Sequence, residues 1–180
     1  LADAIAASGD HQGLPFFLID KANATLYVFD RRARLQGSAP VLLGAATGDD
    51  SVPDIGTRPI AQIDASERTT PAGRFVAEAG HNLKGEDIVW VDHGAAISMH
   101  RVRTTQPQER RAERLATPGV DDNRISYGCI NVPIDFYDRH VTTAFDGHRT
   151  AIAYVMPETR TLHEQFAWLV GPAQQVARRR

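Results

Sequence analysis

The chain has 180 residues, 42% of them hydrophobic and 23% charged, enough to bury one sizeable core and the right size for one domain. Twenty Lys and Arg against 22 Asp and Glu give a formal net charge of -2, which lacks the electrostatic footprint of a nucleic-acid or anionic-membrane binder. The longest apolar stretches, Leu14 to Ile19 and Val41 to Ala46, fall far short of the roughly 18 residues that span a bilayer, so no membrane insertion is expected of this fragment.

The single cysteine, Cys129, excludes an intramolecular disulfide and any zinc site built on several thiolates. The chain begins at Leu1 without a methionine, and the expectation is that a signal peptide or anchor lay upstream. Of the basic residues 18 are Arg and only Lys21 and Lys84 are Lys, which reads as a genomic compositional bias; Arg178-Arg179-Arg180 reads as a frayed, solvated end.

In chain order, Leu1 to Gly13 suggests a short Ala-rich helix stopping at Ser8-Gly9-Asp10. Phe16 to Asp20 and Thr25 to Phe29 are β-prone runs joined by Lys21-Ala22-Asn23-Ala24, the pattern of a hairpin. Further strands are expected at Pro40 to Ala46, Arg74 to Ala79, Ile88 to Val91, Ala96 to Val102 and Thr150 to Met156. Gln106 to Ala116 is polar on nearly all sides and reads as an exposed helical turn or loop. Pro133 is placed to start a helix running to about Phe145, with Ile134, Tyr137 and Val141 on its apolar face. A last helix is expected from near Glu158, with Leu162, Phe166, Leu169 and Val170 on one face until Gly171-Pro172. The result is a mainly β domain with peripheral helices.

Chemistry concentrates around Cys129, in Arg124-Ile125-Ser126-Tyr127-Gly128-Cys129-Ile130-Asn131-Val132-Pro133. A free cysteine is commonly a buried, inert hydrophobe. Here Ser, Tyr, Gly and Asn flank the thiol, and a helix start follows, a setting in which adjacent backbone N–H groups converge on an oxyanion. A cysteine nucleophile needs a base, and seven histidines are available: His11, His81, His93, His100, His140, His148 and His163. Spacing alone does not choose among them. His100 stands out because it closes the strand-like run Ala95-Ala96-Ile97-Ser98-Met99-His100, whereas loop exposure accounts for His81 and His93.

Ser126-Tyr127-Gly128-Cys129-Ile130-Asn131 resembles the Ser/Thr-His-Gly-Cys-apolar-Asn/Arg signature of the L,D-transpeptidase catalytic domain, also called the YkuD or ErfK domain. Thr70-Pro71-Ala72-Gly73-Arg74-Phe75 is similar to that family's Thr-Pro-x-Gly-x-Phe turn, and Ile97-Ser98-Met99-His100 to the strand carrying its active-site histidine. The resemblance covers about Phe16 to Val155 and implies an L,D-transpeptidase-like β-sandwich or barrel, with a leader over 1–15, the catalytic domain over 16–156, and a C-terminal helix and tail over 157–180 packed on it.

Three departures stand out. Tyr127 replaces the usual second histidine, Arg101 stands where Gly is common, and the 25 residues between His100 and Ser126 exceed the family's usual spacing by about ten, a surplus falling in Thr104 to Asp122 that serves as a lid or as decoration.

The resemblance implies acyl transfer on peptidoglycan stem peptides without a cofactor or metal, in the periplasm or at the cell wall. Cys129 is the implied nucleophile and His100 the base, oriented by the carbonyl of Arg101, with backbone N–H groups of Tyr127, Gly128 and Cys129 as oxyanion donors and Ser126 bracing the segment. Arg101 and Arg124, singled out for closeness in sequence to His100 and Cys129, are the expected contacts to substrate carboxylates, together with Asn131, for which bracing the nucleophile segment is the favoured role. Water as acceptor makes the enzyme a carboxypeptidase. Two rival classes are a non-catalytic peptidoglycan-binding module of the same fold and a metal hydrolase using His93, His100 and Cys129; the second lacks a His-Glu-x-x-His element and paired cysteines. Oligomeric state is not legible.

Overall fold

The computed structural model describes residues 1–169; the expected contributions of Val170, Gly171-Pro172 and the Arg178–Arg180 end lie outside the described residues. Among the described residues ten strands carry the fold: β1 (Phe16–Asp20), β2 (Thr25–Phe29), β3 (Leu35–Pro40), β4 (Leu43–Gly44), β5 (Gly73–His81), β6 (Asp87–Asp92), β7 (Ile97–Arg101), β8 (Arg124–Ser126), β9 (Ile130–Val132) and β10 (Thr150–Val155). Eight of them form one sheet in the order β3-β2-β1-β10-β5-β6-β7-β9, while β4 and β8 pair separately in parallel. The sheet nearly closes on itself, because Leu42 and Asn131 exchange both backbone hydrogen bonds at 2.9 Å. This is the expected mainly β architecture with peripheral helices.

The run Phe16-Phe17-Leu18-Ile19 is apolar without alternation because β1 is covered on both faces. Phe17 and Ile19 join Leu26, Val28, Val89, Met99, Ile130 and Val155 in the interior. Phe16 and Leu18 face the other way and meet Ile5, Phe29, Ile152, Tyr154 and Phe166. Helix α1 (Ala2–Ser8), ended by Gly9 at φ 68°, supplies Ile5 to this second layer, and Phe166 comes from the C-terminal end of α4 (Leu162–Gln165), whose start is capped by Thr161.

Four expectations require correction. The strand expected at Pro40 to Ala46 is divided: β3 ends at Pro40, and only Leu43–Gly44 pairs beyond it. β3 itself gave no apolar signal because it is an edge strand with Ala39 as its one buried residue. The helix after Pro133 starts one residue later, as α3 (Ile134–Phe136), continuing through a π-helical turn (Tyr137–Val141) into a 3-10 turn (Thr143–Phe145). That geometry rotates the buried face onto Phe136, Tyr137 and Val141 and leaves Ile134 50% exposed. Glu158 is not helical; its backbone N–H and those of Thr159 and Arg160 are held by the carboxylate of Asp49.

Candidate active site

Strands β7 and β9 run parallel, with Met99 opposite Ile130 and His100 opposite Asn131. Alternation sends Ile97, Met99, Ile130 and Val132 into the core. Ser98 and His100 therefore share the other face of β7, and one further step of register sets Ser98 beside Cys129. The contact is seen: Ser98 Oγ lies 3.6 Å from Cys129 Sγ. The thiol also points at the carbonyl of Ala96, 3.8 Å away, in a β6–β7 turn where Ala96 holds a φ of 55°. His100 lies diagonally across the same face, with Cα atoms about 8 Å apart by sheet geometry. Among the described residues no imidazole hydrogen bonds the thiol, which is partly exposed.

His100 is locked by its neighbour: Nδ1 lies 2.7 Å from the carbonyl oxygen of Arg101. A carbonyl only accepts, so Nδ1 carries the hydrogen and the Nε2 lone pair is left for a proton. Burial pushes the His100 pKa below its usual value, the Arg101 carbonyl opposes this, and the charges of Arg103 and Arg111 lower it further, while Glu86 raises it. The ring is thus held neutral near pH 7, the form in which it accepts a proton.

The nucleophile segment is braced from within and from outside. Ser126 Oγ donates to the carbonyl of Cys129 at 2.6 Å and accepts the N–H of Gly128 at 3.0 Å. This alters one sequence expectation: the Gly128 N–H is engaged by Ser126 in this structure, leaving Tyr127 and Cys129 as the candidate oxyanion donors. Gly128 holds φ +119°, and a Cβ there would stand 2.6 Å from both the Thr69 carbonyl oxygen and Ile97 Cδ1. Its own carbonyl accepts from Thr70 Oγ1 at 2.8 Å, and Thr70 Oγ1 accepts from the Gly44 N–H. The Thr-Pro turn is therefore the wall against which the Cys129 segment is pressed.

Behind that wall sits Lys21, 1% exposed. Its Nζ donates to the carbonyls of Gly48 and Thr70 and to Asp49 Oδ1, at 2.5, 2.9 and 2.7 Å. Asp49 Oδ2 in turn accepts from Thr159 Oγ1. In the sequence Lys21 reads as a turn residue, and the signal it offers there is its identity. Three acceptors converging on one compact ammonium suit lysine and not arginine's planar fork, in a chain that uses arginine almost everywhere else.

The expected substrate contacts divide differently. Asn131 is fully buried; its Nδ2 donates to the Cys129 carbonyl and its Oδ1 accepts from Arg111 at 2.6 Å, so it braces. The Arg101 guanidinium pairs with Asp87 and Asp138 over the ring of Tyr137. Arg124 pairs with Glu158 and donates to the Lys21 carbonyl. Both arginines are thus already satisfied by the protein. Tyr127 lies beneath Arg68, whose guanidinium carbon is 3.9 Å from the ring centroid. The long segment after β7 folds into a 3-10 turn (Pro107–Glu109) and α2 (Arg111–Ala116), a helical turn as expected. Arg111, unnoticed in the sequence, is its point of contact with the site. His93 pairs with Glu78 and stacks on Trp90, and among the described residues no three His, Cys, Asp or Glu side chains gather as a metal site. No helix among the described residues is long and apolar enough to cross a membrane.

No protein-family model matches the chain, and no curated protein matches it. Solved structures do, through the fold. A K307A mutant of the helical cell shape determining protein Pgp2 from Campylobacter jejuni is similar at a TM-score of 0.52 and 12% identity, covering 89% of this chain and 56% of that one. The LD transpeptidase LdtMt1, solved with imipenem, gives a TM-score of 0.44 and 16% identity over 79% of this chain and 58% of that one. The catalytic domain of an E. faecium L,D-transpeptidase gives 0.42 and 16%, over 81% of this chain and 99% of that domain. The chain thus spans little more than half of the first two, and the likeness is one of fold.

Proposed function

We propose that the protein is a peptidoglycan L,D-transpeptidase whose nucleophile is Cys129 and whose base is His100, the catalytic unit spanning 16–156. The observation that carries the proposal is the shared face of β7 and β9: a partly exposed thiol beside Ser98, and diagonally an imidazole whose tautomer is set by the Arg101 carbonyl. The three sequence motifs and the likeness in fold support the same function.

Rotation of the thiol away from Ala96 allows it to pass its proton to His100 Nε2, and sulfur attacks the carbonyl of residue three of the stem. The tetrahedral oxyanion is held by the N–H groups of Tyr127 and Cys129. The bond to the terminal D-residue breaks, its amine takes the proton from His100, and a thioester remains. An acceptor amine then attacks the thioester, losing its proton to His100 and restoring the thiol; water in its place gives a carboxypeptidase. A free cysteine is only about 3% thiolate at pH 7, so full ionisation supplies about thirtyfold. An oxyanion donor supplies on the order of 10² to 10³, which makes the rigidity of the Ser126–Asn131 segment as important as the base. Substrate location places the protein outside the inner membrane.

Intact-protein mass spectrometry after incubation with a carbapenem tests the nucleophile. The expected result is one covalent adduct on the wild type and none on Cys129→Ala; no adduct on either rejects the proposal in favour of a binding module. Incubation with a disaccharide-tetrapeptide then identifies the acceptor: a crosslinked dimer supports transfer, and tripeptide alone supports the carboxypeptidase.

A further inference from the structure

A second site lies at the opposite end of the sheet. Strand β7 runs against β1, since β10 is parallel to β1 and β10, β5, β6 and β7 alternate. Cys129, just before β9, therefore sits at the end where β1 finishes. Where β1 begins, a cleft of about 900 Å³ opens between the β2–β3 turn, the π-helical segment and the turn before β10. Its walls carry Arg31, Arg32, Arg139 and His148, and Val28 and Phe29 form part of its floor.

The charges in this cleft are not neutralised in the way usual for this protein. Elsewhere most described arginines pair with carboxylates, as in Arg58 with Glu67, Arg74 with Asp10 and Arg124 with Glu158, the exceptions being Arg68, Arg114 and Arg149. Arg31, Arg32 and Arg139 have no carboxylate partner among the described residues. Asp30, which also lines the cleft, is already used: it accepts from the N–H groups of Arg32 and Arg34 and from Arg34 Nε. Asp146 is the remaining acid on the wall. Arg31 Nη1 meets only the Nε2 of His148, at a long 3.4 Å. In a chain of net charge -2, three arginines without a carboxylate partner lining one cleft from two elements, the β2–β3 turn and the π-helical segment, concentrate a demand for an anion.

We propose that this cleft binds a phosphorylated saccharide. A carboxylate offers two oxygens and is satisfied by one guanidinium fork. A phosphoryl group offers three terminal oxygens and a charge of about -1.5 to -2, which matches donors approaching from both walls. The volume lies within the roughly 300–1,000 Å³ of small-molecule clefts and greatly exceeds an inorganic anion. The apolar floor then receives the body of the sugar. A free sugar phosphate presents such a monoester, whereas the repeating unit of a glycerol phosphate polymer is a diester with two free oxygens and one charge and lacks the sugar.

Calorimetric and ¹H–¹⁵N NMR titrations of the full chain test the site with glucose 1-phosphate, inorganic phosphate, glucose and a glycerol phosphate oligomer. Glucose 1-phosphate is expected to bind at least tenfold more tightly than inorganic phosphate, with shifts confined to 28–34 and 139–148, and glucose not at all. Arg31→Ala combined with Arg139→Ala should weaken binding at least tenfold, while Arg34→Ala, whose charge Asp30 already takes up, should weaken it far less. Carbapenem acylation of Cys129 should be unchanged in these variants, so the two sites succeed or fail separately. The glycerol phosphate oligomer, a diester without a sugar, is expected to bind more weakly than glucose 1-phosphate, and tighter binding of the oligomer overturns the assignment to a sugar monoester. Equal weak binding of glucose 1-phosphate and inorganic phosphate, or wild-type binding by the Arg31/Arg139 double variant, overturns the proposal.

Discussion

Substituting Gly128 with alanine adds one methyl group at the point where the nucleophile segment leans on the Thr69–Thr70 strap. Two costs arise. At φ +119° an L-residue is strained by about 1–3 kcal/mol. The new Cβ also stands 2.6 Å from two atoms, and they respond differently. Ile97 Cδ1 ends a flexible side chain and gives way. The Thr69 carbonyl belongs to backbone that Thr70 fixes through Gly128, Gly44 and Lys21, so retreat breaks hydrogen bonds worth about 1 kcal/mol each. Overpacking of this kind costs about 1–3 kcal/mol, giving about 2–6 kcal/mol in all. Urea denaturation of Gly128→Ala should show a lower midpoint at unchanged m-value. Gly85→Ala is the control, since φ there is +78° with nothing within 4 Å of the added Cβ, and it should lose about 1 kcal/mol. Under conditions where Gly128→Ala remains folded, carbapenem acylation of Cys129 should fall by about 100-fold as the oxyanion donors shift. A Gly128→Ala protein within about 0.5 kcal/mol of wild type and acylated at the wild-type rate would refute this account of the segment.

Three further predictions concern charge. Lys21→Met leaves Asp49 buried without its cation and should cost about 3–5 kcal/mol by denaturation; a loss below about 1 kcal/mol would show the pair to be dispensable. Burial tends to raise the Asp49 pKa, but hydrogen bonds from Lys21, Thr159 and Glu158 outweigh it and hold the carboxyl well below its usual range. Its stabilisation is therefore complete above the unfolded carboxyl's pKa near 4 and is lost as pH falls toward the folded value, and Asp49→Asn should flatten that acid slope. The third prediction is kinetic. Removing the positive charge of Arg111 with Arg111→Gln should raise the His100 pKa and move the acidic limb of the acylation rate to higher pH; an unmoved limb would separate Arg111 from the base.

The hairpin of β1 and β2 was legible to the residue because both strands are apolar and β-branched or aromatic, with a polar turn between them. The same logic missed β3, whose pairing is mostly backbone and whose side chains face solvent. It also missed β8 and β9, three residues each, too short for any period to show. At the site, Cys129 and His100 stood out by residue type and motif. Ser98, Arg111 and Lys21 did not, because their roles come from register, from a folded-over segment and from burial, all tertiary facts. Arg101 and Arg124 were singled out for closeness in sequence, yet each had nearer carboxylates waiting in the fold.

The parallel pairing of β1 with β10, which sets Phe16 beside Ile152, also bears on how the chain assembles. The first hairpin can form early from local contacts, but one long side of β1 stays unsatisfied until the last strand arrives. Native topology is therefore dominated by distant pairings, which slow folding and prolong the life of a sticky intermediate. A chain cut before Thr150 would retain every proposed catalytic group and still lack the strand that joins its two halves.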